Sequence, residues 1–185
     1  MKRIYPVIFT LITLTSLAQE PSAPSALQLL EPFVGIWHAP DSVVAKNPPM
    51  QGKAIFKFEF DDKKTHMNLY EGVSLSDTED YGFKGLLVTN PVSNEFEFLG
   101  VNRERNFLFK GVFKDVTDKG FTREYQVFYP AESQMAKMFG QVIKFREVFK
   151  LQDKDTMSFG ILYFNEKNKQ WEKWSPQDHV VIRKS

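Results

Sequence analysis

From Gly52 onward, apolar and polar residues alternate. Phe56, Phe58 and Phe60 are separated by Lys57 and Glu59, and Phe96 and Phe98 alternate with Glu95 and Glu97. Phe107, Phe109, Gly111 and Phe113 interleave with Leu108, Lys110, Val112 and Lys114. Phe121, Arg123, Tyr125, Val127 and Tyr129 form one row. Ile143, Phe145, Phe149 and Leu151 form a second, Met157, Phe159, Ile161 and Tyr163 a third, and Phe83, Gly85 and Leu87 a shorter fourth. A period of two sends successive side chains to opposite sides of a pleated backbone, so each run predicts a strand with one apolar face. Residues 66–70 are less clear, because His66, Asn68 and Tyr70 leave both faces partly polar.

The segments between these runs are polar and carry Gly, Pro, Asn or Asp: 61–64, 76–80, 91–94, 102–105, 115–120, 153–155 and 165–169. Those residue types adopt the dihedrals tight turns need. None is long enough for the crossover that parallel strands require. The pattern predicts a meander of about ten antiparallel strands.

Two segments change period. Ala26, Leu29, Leu30 and Phe33 fall on one helical face behind a capping box of Ser25 and Gln28, with Pro32 stopping further turns. Pro130 to Gly140 has proline at its start, glycine at its end and Met135, Met138 and Phe139 on one face. It predicts a short inserted helix, placed either over the mouth of the sheet structure or against its outer wall.

A meander with one bulky face per strand must bury that face. Closing the sheet on itself does so and removes its edges. The fold class expected is therefore all-β: an antiparallel up-and-down barrel of about ten strands, with a short N-terminal helix and one inserted helix. At that strand number the interior is wide enough to leave a cavity.

Composition sharpens this. The chain has 185 residues, 18 of them Phe and none Cys, which excludes disulfides and thiolate metal sites. Met1-Lys2-Arg3 precedes an apolar stretch to Leu17 and small residues around Ala18. That stretch is shorter than the roughly 20 residues of a spanning helix and reads as a cleavable secretory signal. The expected organisation is a signal at 1–18, a linker at 19–25 and one barrel domain at 26–185, exported to a periplasm or beyond, with no transmembrane segment left after cleavage. Losing Lys2 and Arg3 lowers the formal charge from +1 by two. A near-neutral surface offers no field for nucleic acid. Oligomeric state is not legible.

Candidate chemistry lies where charge interrupts an apolar row. Arg123 sits in the Phe121–Tyr125–Val127 row and Glu147 between Phe145 and Phe149. If these rows face inward, both charges are buried and must pair. One reading has Arg123 and Tyr125 clamping the polar head of a ligand, such as a carboxylate, with Glu147 orienting Arg123. In that reading Phe56, Phe58, Phe96, Phe98, Phe107 and Phe109 line the cavity. The others are a structural Arg–Glu pair without a ligand, or rows facing solvent. No hydrolase, phosphate-loop, dinucleotide or zinc-protease motif is present, and the three histidines show no metal-ligand spacing.

Gly35-Ile36-Trp37, after a short helix and before the meander, resembles the Gly-x-Trp opening of lipocalins and related calycin barrels, and the chain from residue 26 looks like secreted bacterial proteins of that kind. The resemblance implies that Trp37 closes the barrel floor against a cation, here Arg183, and that a small hydrophobic or amphipathic ligand is held without cofactor or metal. A more distant resemblance is to nitrobindin-type haem barrels acting on reactive nitrogen species. It implies His179 as haem ligand, although His38-Ala39-Pro40 lacks the glycines that usually follow the motif there. A barrel with a filled core and a surface partner is the third alternative.

Overall fold

The computed structural model describes residues 26–46, 51–74, 81–103 and 106–184. The expected signal, the linker and the Ser25 cap lie outside them. Eleven strands form one antiparallel sheet: β1 (Gly35–His38), β2 (Lys53–Phe60), β3 (His66–Ser74), β4 (Phe83–Thr89), β5 (Phe96–Asn102), β6 (Phe107–Lys114), β7 (Gly120–Phe128), β8 (Val142–Leu151), β9 (Thr156–Asn165), β10 (Gln170–Lys173) and β11 (His179–Arg183). Neighbours follow chain order from β1 to β9, and β11 closes the ring between β9 and β1. Ten strands thus make a closed barrel. β10 is extra, because one edge of β9 pairs β11 through Thr156–Phe159 and β10 through Leu162–Asn165.

The rows read from the sequence face inward. Phe56, Phe58, Phe83, Phe96, Phe98, Phe113, Phe121, Phe149 and Phe159 join one buried cluster, while the alternating Lys and Glu positions face out. The ambiguity in β3 resolves: Met67 and Leu69 are buried inside, and Tyr70 is covered from outside by Ile36, Ala54 and Tyr81. Close approach between strands needs glycine at one point above all. A Cβ on Gly111 would sit 2.1 Å from the Glu124 carbonyl oxygen and 2.6 Å from the Tyr125 Cα.

The N-terminal helix differs from expectation. Ala26–Phe33 is a 3₁₀ helix, and it buries Leu27, Leu30 and Phe33 while leaving Leu29 exposed. Three residues per turn put i, i+3 and i+6 on one face, which the 3.6-residue reading missed by one position. This helix plugs the floor, with Phe33 edge-on to Phe121 at 4.9 Å and Lys64 of the β2–β3 turn bonded to Glu31.

The floor is locked by Gly35, Trp37 and Arg183. Arg183 lies 4.4 Å from the Trp37 ring centroid and pairs with it across β1 and β11. Its guanidinium donates to the carbonyls of Pro32, Val34 and Lys154, and Trp37 Nε1 donates to that of Phe33 at 2.8 Å. Gly35, at φ +136°, lets the chain turn beneath that guanidinium, which a Cβ would approach to 3.2 Å.

Besides α1 (Asp41–Val44), there is the inserted helix α2 (Gln134–Phe139). It starts later than Pro130, because Ser133 supplies the N-cap by accepting from the Ala136 N–H, and Gly140 ends it at φ +93°. Met135 packs on Phe107, Val127, Ile143 and Phe145, so α2 covers the β6–β8 side of the barrel mouth.

Candidate functional site

Filling of the barrel is uneven. Rings stack across five neighbouring strands: Phe113 on Phe121 at 4.7 Å, Phe121 on Phe149 at 4.6 Å, Phe149 on Phe159 at 5.5 Å, and Phe159 on His179 at 5.0 Å. Cross-strand pairing of Phe121, Phe149, Phe159 and His179 sets this ladder. Near the mouth a cavity of about 410 Å³ opens, lined by Lys53, Ala54, Ile55, Phe56, Glu71, Gly72, Glu147, Phe159 and Ile161.

Behind that cavity is an ion cluster built by strand register. Arg123 of β7 stands directly opposite Glu147 of β8. Arg123 Nε donates to Glu147 Oε2 at 2.7 Å, and Nη2 contacts the same carboxylate. Nη1 donates to Glu71 Oε1 at 2.7 Å, reaching across the barrel to β3. Tyr125 Oη donates to Glu147 Oε1 at 2.8 Å. The guanidinium carbon lies 5.1 Å from the Tyr125 ring centroid and 5.6 Å from those of Phe98 and Phe149. Among the described residues no buried side-chain nitrogen or oxygen lacks a partner.

The electrostatics follow from burial. Desolvation favours neutral Arg123, but Glu147 and Glu71 outweigh it and hold the guanidinium charged. Desolvation, reinforced by Glu147, pushes the Tyr125 phenol well above its ordinary range, so it stays a donor. Glu71 is the reachable member, with 29% of its side chain exposed against 3% for Arg123 and 6% for Glu147. Burial raises its pKa despite the pull of Arg123.

The expected site residues therefore part company. Arg123, Tyr125 and Glu147 come together. Phe56 lines the cavity, whereas Phe58, Phe96 and Phe98 belong to the packed cluster, and Phe107 packs near α2 with Phe109 between the two clusters. Arg123 is not among the cavity-lining residues; the groups that face a guest are its carboxylate partners. Glu71 escaped the sequence reading. The signal was there in Met67, Leu69 and Glu71, an alternating row whose last member is charged, as Arg123 and Glu147 are in theirs. His179 borders a different hollow of about 360 Å³, beside Asp178, Val181 and Ala39, with its ring flat against Phe159.

The other aromatic pair near the C-terminus divides between faces. Trp171 meets Phe164 and the Arg146 guanidinium, and Trp174 meets Phe139, Phe145 and Tyr163 under α2.

Fold and site together define a closed ten-stranded antiparallel β-barrel with an occluded floor and a hollow near its mouth, an architecture compatible with lipocalin-like calycins. No protein-family model matches the chain, and a comparison with curated proteins finds no match.

Proposed function

We propose that this protein is an exported, lipocalin-like binding barrel that holds a small hydrophobic or amphipathic molecule in its mouth-side cavity. One observation carries the reading: a hollow walled by Ile55, Phe56, Phe159 and Ile161, with the charged groups Lys53, Glu71 and Glu147 converging on it. Apolar walls with a few convergent polar groups are the usual make-up of a small-molecule site. Burying ligand area there contributes about 25 cal/mol per Å² of apolar surface. Export rests on the basic, then apolar, then small-residue N-terminus, and the lipocalin likeness on Gly35, Trp37 and Arg183.

The haem alternative is less well supported. His179 borders the other hollow and completes an aromatic ladder, and the cavity presents two carboxylates against one lysine, where the acidic edge of a haem needs cations. A scaffold filled throughout accounts for the floor and leaves the mouth unexplained.

The test is native mass spectrometry of the purified protein, with solvent extraction of anything that travels with it. A one-to-one adduct is expected on the wild type and is expected to be absent from Ile161→Trp, which fills the hollow. An adduct that survives in folded Ile161→Trp places the ligand elsewhere and removes this reading. A haemin titration giving a Soret band abolished by His179→Ala installs the haem alternative in its place.

A further inference from the structure

Arg123 is fully engaged by groups of its own cluster. Nε and Nη2 serve Glu147, Nη1 serves Glu71, and the Phe98, Tyr125 and Phe149 rings surround the guanidinium carbon. One guanidinium thus faces two carboxylates, leaving an excess of one negative charge when both are ionised. Both carboxylates border the cavity and the guanidinium does not. Lys53, where β2 begins, also lines the cavity. A guest reaching past the apolar walls meets two carboxylates that share one guanidinium. The raised pKa of Glu71 agrees with this: burial outweighs the single cation it shares.

We propose that the cavity takes an amphipathic organic cation, an amine on an apolar chain or ring, whose ammonium N–H groups donate to Glu71 and Glu147. Its tail lies against Ile55, Phe56, Phe159 and Ile161. The assignment rests on the binding-barrel reading and narrows it. An ammonium brings the cluster to two cations and two anions, and charge-assisted hydrogen bonds are the strong kind. A ligand carboxylate would instead add a third negative charge, or would have to evict Glu71 from Arg123 Nη1.

Calorimetric titration of the full mature chain with decylamine, decanol and decanoate, each below its micellar concentration and near neutral pH, tests this. The three share a tail and differ in the head. Decylamine is expected to bind about tenfold or more tighter than decanol, one charge-assisted contact being worth that factor, with decanoate weakest. Glu71→Gln, which keeps shape and removes charge, is expected to cut the amine advantage about tenfold and leave decanol unchanged. Decanoate binding as tightly as decylamine overturns the proposal and restores Arg123 as an anion anchor. So does an amine preference that persists in folded Glu71→Gln. Decanol tighter than both ions overturns the charge argument and leaves the apolar cavity standing. Absence of heat with all three overturns the binding-barrel reading, and the amine assignment with it.

Discussion

The two ends of the barrel are made from the same strands and filled in opposite ways. Toward the floor, Phe33, Phe58, Phe113, Phe121 and Phe149 pack ring against ring beside the Trp37–Arg183 lock, and the 3₁₀ helix seals the opening. Toward the mouth, the inward rows of β3, β7 and β8 turn charged, at Glu71, Arg123 and Glu147. There α2 covers one side only, and the wall of β2 and β9 borders a hollow. Inward orientation alone therefore does not make a residue part of a pocket. Large rings that meet across the barrel exclude a guest, whereas charges that must reach partners hold their walls apart.

Variants in the two halves should behave differently. The largest effect belongs to the floor: Phe149→Ala opens a void among rings that cannot collapse, and a loss of about 3–5 kcal/mol is expected in urea or thermal unfolding. Nearly as large is Arg123→Met, expected to cost about 3 kcal/mol because two carboxylates lose their cation. Adding Glu147→Leu and Glu71→Gln should recover most of that loss, since an apolar replacement of a whole buried ion cluster is often neutral. If the triple variant is as unstable as the single, the cluster contributes stability beyond mutual compensation. Next comes Ile161→Ala at the wall of the hollow. It should cost only about 1 kcal/mol, because the space it vacates joins an existing cavity. A cost equal to that of Phe149→Ala would erase the distinction between the two halves.

The smallest effect concerns the β2–β3 turn beneath the floor. The Asp61 carboxylate accepts from the backbone N–H groups of His66, Lys63 and Thr65 and from the Thr65 hydroxyl. These bonds, led by that from His66, hold its pKa down from 3.8 to about 2. A depressed folded value means that its stabilising contribution is full above 3.8 and fades as the pH falls toward 2. The stability gap between wild type and Asp61→Asn should therefore be constant near neutrality and close across that acid window. A gap independent of pH would mean that the carboxylate's charge is irrelevant to the turn.

Alternation made strand identity and the inward faces legible from particular residues: Phe56–Phe58, Phe107–Phe109–Phe113 and Phe121–Arg123–Tyr125 are each local patterns of period two. The pairing of Arg123 with Glu147 was legible too, because adjacent strands in a meander must be neighbours. Glu71 was not connected to them, since three intervening strands separate β3 from β7 along the sheet and only closure brings them face to face. Leu29 was misassigned to the buried face and Leu27 missed, because 3₁₀ and α periods differ by less than one residue per turn, while Leu30 and Phe33 fit both. Phe58, Phe96 and Phe98 were expected along a cavity for a similar reason. A sequence shows which side of a wall a ring is on and not how far across the interior it reaches.

Local chain physics, acting over two to ten residues, thus determined the strands, the turns, the all-β class and the burial of an Arg–Glu pair. Ring closure decided the rest: that Arg123 is shared between two carboxylates, that it lies behind them, and that the hollow is on the mouth side. These depend on contacts between residues far apart in the chain, whose distances are set by strand number, tilt and register together.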